Sequence, residues 1–159
     1  MTAVLLDHGV NVEDSQMGIL RGQFSMTLVI GLPDAAEVGR LREELEAVAR
    51  RLGLDTLSLS EVDATEAEPP EPSHIVTVYG ADHPGIVHAA ASALAERGWS
   101  ITDLNTRLVD DGEGEPLYAL MMEVALKGAS LDDLEESLAP VREGQGVEVS
   151  VHELEDDEL

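Results

Sequence analysis

The sequence predicts an α+β fold in which one small unit occurs twice. Three observations carry this. Short runs of alternating apolar residues, read as strands, interleave with apolar residues at helical spacing. An acidic, proline-rich stretch, Asp63–Pro72, has no periodicity and divides the chain. The segment Thr2–Asp14 also lies over Ala91–Asp103, so that Gly9 meets Gly98, Val12 meets Ile101 and Asp14 meets Asp103. The expected organisation is a first unit over 1–62, a linker over 63–72, a second unit over 73–153 and a charged tail over 154–159.

In the first unit, Met1–His8 reads as the end of a helix, with Gly9 where a C-terminal glycine belongs. Val10–Leu20 reads as a strand, with Gly18 as a candidate bulge. Arg21-Gly22-Gln23 is a hairpin turn. Phe24, Met26, Leu28 and Ile30 alternate along the returning strand. Asp34 is placed to cap a helix in which Val38, Leu41, Leu45, Val48, Ala49 and Leu52 share a face. Gly53 stops it, and Leu54–Val62 alternates as a further strand.

The second unit opens on the strand His74–Tyr79 and turns at Asp82-His83-Pro84-Gly85. A helix follows over Pro84–Arg97, buried through Ile86, Val87, Ala90, Ala93 and Leu94. Trp99–Val109 and Leu117–Leu126 are strands around the acidic turn Asp110–Glu115. Ser130 caps a helix through Leu131, Leu134, Leu138 and Val141, and Val147–Val151 is the last strand.

The second unit thus reads β-α-β-β-α-β. That order implies a ferredoxin-like sandwich: antiparallel strands in the order 4-1-3-2, with both helices on one face. The first unit lacks the opening strand and the turn after it. Its two remaining strands are left without their shared central partner. The chain also opens inside a helix pattern with no capping residue, which points to a start upstream of Met1.

Composition narrows the function. The chain has 159 residues, no cysteine and a net charge of −24. Disulfides, thiolate metal sites and thiol nucleophiles are excluded. A field of that sign repels phosphate backbones, and one Trp, one Phe and two Tyr give single strands little to stack on. Direct nucleic-acid binding is therefore not expected. No apolar run is long enough for a membrane span and no signal peptide is visible, so a soluble, cytoplasmic protein is expected.

The stretch richest in binding chemistry is Thr77–Val87. A strand, a tight turn and a helix start are packed into it. The first N–H groups of a helix lack intrahelical partners, and the helix dipole favours an anion there. Pro84 suits a first helical turn, and Gly85 lets a ligand approach the backbone. Asp82 or His83 could receive an ammonium group, or could cap the helix instead. An amino acid, with both charges, would match the turn, yet the same residues also make a sound strand-to-helix connection.

Val76–Val87, followed by Gly98–Asp103, resembles the ACT domain, with its Asp-x-Pro-Gly-Ile/Val turn and its Gly-x-Asn/Ser-Ile/Val-x-Asp strand entry. Two such units resemble the tandem ACT proteins of the glycine cleavage system transcriptional repressor family, and Gly9–Ser15 fits the first of them. The resemblance implies a non-enzymatic regulatory protein, most simply a homodimer, that binds a small, glycine-like amino acid where two units meet. It would act through a protein partner, without a cofactor. By this resemblance Asp82, His83, Pro84, Gly85 and Ile86 of one unit face Asn11, Val12, Glu13 and Asp14 of the other. Ser100, Ile101, Thr102 and Asp103 are the matching strand entry of the second unit.

Other candidates are weaker. His83 and His88 lack a third metal ligand. Asp110, Asp111, Glu113 and Glu115 lack the spacing of a calcium loop. Trp99, Met121 and Met122 read as core. Ser15, Ser25 and Ser73 have no nucleophile-elbow context, and no phosphate-binding fingerprint is present. Two alternatives stay open: a ligand-free pairing module, and the regulatory fragment of an amino-acid or folate enzyme.

Overall fold

The computed structural model describes residues 1–33, 37–62, 70–109 and 116–154. Asp34, the centre of the linker, the acidic turn Asp110–Glu115 and residues 155–159 lie outside them. The chain divides into two compact units, Met1–Ala64 and Thr65–Leu159.

The first unit contains α1 (Thr2–Asp7), β1 (Asn11–Leu20), β2 (Gln23–Gly31) and α2 (Val38–Leu52). Gly9 follows α1 at φ +66°, a left-handed conformation that favours glycine. β1 and β2 form an antiparallel hairpin closed by Arg21-Gly22, both at positive φ, the two-residue turn that matches strand twist. The bulge is not at Gly18 but at Glu13, between the pairs Val12↔Ile30 and Asp14↔Val29. Leu5, Val10, Leu41 and Leu45 are buried together, with Leu28, Ile30 and Leu57 against them.

Residues 54–62 do not form the expected strand, although Leu57 and Leu59 alternate as half-buried positions. The physical reason lies in the order of elements. A last strand of this fold pairs with the opening strand, and among the described residues the first unit has none. The segment is held instead by Leu57 in the core and by the Arg42 guanidinium, which donates to the Leu59 carbonyl at 2.8 Å.

The second unit is complete. β3 (His74–Ala81), β4 (Ser100–Val109), β5 (Leu117–Ala125) and β6 (Glu148–Glu153) pair in the order β4-β5-β3-β6, all antiparallel. This is the 4-1-3-2 order expected. α3 (Ile86–Glu96) and α4 (Leu131–Gln145) cover one face. Val76, Val78, Leu120, Met122 and Val124 point from the sheet into a core closed by Ile86, Ala90, Leu94, Leu134, Leu138 and Val141. Small residues on α3 let α4 approach, and the buried Ser137 hydroxyl donates to the Ala93 carbonyl at 3.0 Å. Ser130 caps α4 in a reciprocal box with Asp133. Met121 is not core: period-2 alternation turns it to the opposite face from Met122, and it is 44% exposed. β4 has its own bulge, at Thr102 between Ile101↔Val124 and Asp103↔Glu123, in the same place as the bulge of β1.

Candidate functional site

β3 is central in its sheet, so its exit is firmly placed. At that exit Gly80 lies against the α4–β6 corner. A Cβ there would come within 2.8 Å of Val147 Cγ1 and 3.3 Å of its Cα. The chain then leaves the sheet through Ala81 and turns over Asp82–Gly85. The helix begins two residues later than the sequence suggested, at Ile86 and not Pro84, because Gly85 takes the N-cap position at φ +107°. The first bond into the helix runs from the Ala89 amide to the Gly85 carbonyl, at 2.8 Å. Neither Asp82 nor His83 caps the helix: no side chain does. The helix start is thus open toward a cleft of about 670 Å³, lined by residues 82–88 and by Tyr118 of β5.

His83 has a different role from the one its position suggested. Its Nε2 lies 2.9 Å from the carbonyl of Gln145, the last residue of α4, and its Nδ1 lies 3.2 Å from the Pro84 carbonyl. Both ring nitrogens face acceptors, so the doubly protonated ring satisfies both and the neutral ring only one. The Gln145 carbonyl, then the Pro84 carbonyl and the Asp82 charge, raise the pKa above the ordinary 6.5. The imidazole stitches the turn to the end of α4. Its nitrogens are engaged, which leaves Asp82 as the acidic side chain of the cleft with no such tie.

Tyr118 and His88 complete the lining. Sequence reasoning missed Tyr118. The alternation of β5 turns Tyr118 inward with Leu120, Met122 and Val124, but only the long-range pairing with Gly80 brings it to the turn end of β3. Among the described residues, no group of three His, Asp or Glu side chains is placed to hold a metal ion.

The other predicted residues lie elsewhere. Asn11, Val12, Glu13 and Asp14 are exposed at the start of β1, where the Asp14 carboxylate accepts from the Ser15 amide at 2.7 Å. Ser100, Ile101, Thr102 and Asp103 open β4. Thr102 donates to the Glu123 carbonyl at 3.3 Å, and Asp103 accepts from the Asn105 amide. Ser100 is paired with Ala125, whereas Ala81 is paired with Leu117. The turn and the β4 entry are therefore at opposite ends of β5, roughly 25 Å apart at strand rise. The second unit does not bring its own turn and its own strand entry together.

Residues 1–58 match the ACT domain family. A UPF0237 protein of Methanopyrus kandleri is 38% identical over 58 residues, which are 36% of this chain and 64% of that relative's length. Among solved structures, an unknown protein from Galdieria sulphuraria superposes with a TM-score of 0.76 at 26% identity, covering 96% of this chain and 87% of that one. A candidate glycine cleavage system transcriptional repressor superposes with a TM-score of 0.67 over 96% of this chain and 86% of its own, at 15% identity, a likeness of fold. No helix among the described residues is long and apolar enough to cross a membrane. The first 58 residues thus match the ACT domain family, and the chain shares its fold over nearly its whole length with these two solved structures.

Proposed function

We propose that the protein is a non-enzymatic regulator that senses a small, glycine-like amino acid and controls gene expression or metabolism through a protein partner. The observation that carries this reading is the uncapped start of α3 at the floor of the Asp82–Tyr118 cleft. The amides after Gly85 offer a carboxylate its donors, and the Asp82 carboxylate offers an ammonium group its partner. A cleft with these two features suits a zwitterion, and the glycine-like choice among zwitterions follows the resemblance to the glycine cleavage repressor.

The site is completed by a strand entry from another unit: Asn11–Asp14, or Ser100–Asp103 of a second copy. In this reading the working form is a homodimer. Acting through a protein agrees with the net charge of −24, which disfavours contact with phosphate.

Calorimetric titration with glycine, serine and other small amino acids tests the reading. A saturable heat with one of them is expected, and its loss in Gly85→Trp with the circular dichroism spectrum retained. Absence of heat for every small amino acid, or binding that survives Gly85→Trp, would overturn it. A second reading, a pairing module without a ligand, is favoured by His83, whose two carbonyl contacts give the turn a purely structural role. It predicts a dimer whose stability is indifferent to amino acids.

A further inference from the structure

The turn Gly80–Gly85 rests on the far end of α4, the corner Gln145–Val147. Val147 packs on Gly80, where a Cβ would come within 2.8 Å of its Cγ1. The Gln145 carbonyl meets His83 Nε2 at 2.9 Å. The Gln145 side-chain oxygen lies against Gly85, 3.4 Å from where a Cβ would stand. The corner is itself held. Gly146 ends α4 at φ +62°, the Val147 amide donates back to the Arg142 carbonyl at 3.3 Å, and the Arg142 guanidinium donates to the Val149 carbonyl at 3.2 Å. Of the contacts between corner and turn, the one through His83 depends on a proton.

The ends of two helices converge on that imidazole. Gln145 is the last residue of α4, so its carbonyl has no intrahelical partner and lies at the negative end of the helix dipole. A cation is favoured there, and a protonated His83 supplies one. The other ring nitrogen reaches the Pro84 carbonyl at 3.2 Å, one residue before Gly85. From Gly85 the chain enters α3, whose first amides form the positive end of its dipole. The charged ring therefore does two things that the neutral ring does not. It donates to both carbonyls and fixes the turn on α4. It also adds positive charge beside amides that would receive an anion. The other titratable groups on the surrounding elements are Asp82 on the turn, His88 on α3, Tyr118 on β5, Arg142 and Glu143 on α4 and Glu148 on β6. Arg142 and Glu148 line a different hollow, with Thr77 and Tyr79. Asp82 helps the ring hold its proton, though less than either carbonyl does. Of these groups only His88 is of a kind that changes charge near neutral pH.

We propose that His83 is a positioning residue of the cleft: when charged it clamps the turn to the end of α4 and prepares the start of α3 for a carboxylate, so that capture weakens as pH rises. This rests on the amino-acid reading above and adds a regulatory input to it. The ring acts without touching the ligand, since both of its nitrogens are engaged by carbonyls. Affinity is highest where the ring is charged. It falls as pH rises through the His83 titration and levels off where the neutral ring keeps one carbonyl only. The charged ring also competes with the ligand's ammonium group for Asp82, but the two carbonyl bonds are the stronger influences on the ring. Binding and protonation are linked, so a ligand that prefers the charged ring must raise its pKa by the factor by which the proton raises affinity.

The test uses the full chain, with glycine as the probe. Calorimetric titrations from about pH 5.5 to about pH 8.5 should show affinity falling about three- to tenfold, with a midpoint at that of the His83 ring followed by NMR. Saturating glycine should move the ring's midpoint upward by the matching factor. His83→Gln offers the Gln145 carbonyl an amide but does not titrate, and should bind glycine equally across the range. Without glycine, the Gly85 and Ile86 amide signals should follow the ring's titration in the parent and not in His83→Gln. Affinity independent of pH in the parent would overturn the proposal. So would a pH dependence that survives His83→Gln, which would belong to another group, His88 foremost, and so would amides that ignore the ring. Amides that follow the ring, while neither glycine nor any other small amino acid gives heat at any pH, would support the clamp and overturn the amino-acid reading instead.

Discussion

Met26 and Leu120 occupy the same place in the two units, opposite equivalent partners and at the same distance from equivalent bulges. Leu120 is fully buried and Met26 is 42% exposed. The difference is not in the hairpins, which match in register. It lies in what covers them. In the second unit β3 closes the sheet and both helices lie over it, whereas the first unit's buried cluster, Leu5, Val10, Leu41 and Leu45, gathers at the base of its hairpin. The tip, with Met17, Ile19, Phe24 and Met26, stays open to solvent. A repeat therefore fixes local geometry, but burial is decided by the neighbours each copy has.

The largest effect expected from this contrast is on stability. Leu120→Ala removes a fully buried side chain from a closed core, and should destabilise the second unit by about 2–5 kcal/mol. Met26→Ala at the matching position should cost less than about 1 kcal/mol, since much of its side chain is already in water. Urea unfolding of both variants checks this. Equal losses would mean that Met26 is covered in solution, and the contrast between the units would then be wrong.

Gly80 gives a narrower contrast. A Cβ at Gly80 would meet Val147 Cγ1 at 2.8 Å, closer than real Cβ contacts, and press on its Cα at 3.3 Å, whereas a Cβ at Gly18 meets only the Ser25 hydroxyl at 3.8 Å. Gly80→Ala should cost about 1–3 kcal/mol by overpacking, and should weaken amino-acid binding at the turn that β3 leads into. Gly18→Ala on the hairpin should be close to neutral. Thermal melts and the same calorimetric titration measure both. A Gly80→Ala protein as stable as the parent would show that the α4–β6 corner can yield.

Much of this fold was legible because its signals are local. Alternation at Phe24–Ile30, a Ser130 cap followed by Asp133, and glycines at helix ends each act over a few residues. The second unit's strand order followed from element order alone. What failed depended on partners far along the chain. The alternation of Leu57 and Leu59 is a sound strand pattern, but a strand also needs a ladder. Whether Pro84 or Ile86 opens α3 turned on the φ of Gly85, which sequence leaves free. Of the site, the turn itself was visible as chemistry, with its glycine and its open helix start. Tyr118 was not, because the register that brings β5 beside the turn is a long-range pairing. Nor could His83 be assigned its carbonyl partners, since Gln145 is far away in sequence.

That histidine supplies the smallest expected effect, and one confined to the second unit. Its folded pKa is raised above 6.5 by the Gln145 and Pro84 carbonyls and by Asp82. The folded state therefore binds the proton more tightly than the unfolded chain does. The stabilisation is fully present below pH 6.5, the value expected for the unfolded chain, and is lost as pH rises through the higher folded value. His83→Gln keeps an amide donor for the Gln145 carbonyl but does not titrate. The difference in stability between the parent and His83→Gln should therefore shrink as pH is raised through this window, and flatten above it. Unfolding midpoints of both proteins from about pH 5.5 to about pH 8.5, roughly one unit below and two units above the ordinary histidine value, measure that difference directly. A constant difference would mean that the ring stays neutral and holds only one of its two carbonyls. The turn would then be tied to α4 by geometry alone, and its hold on the ligand cleft would not vary with pH.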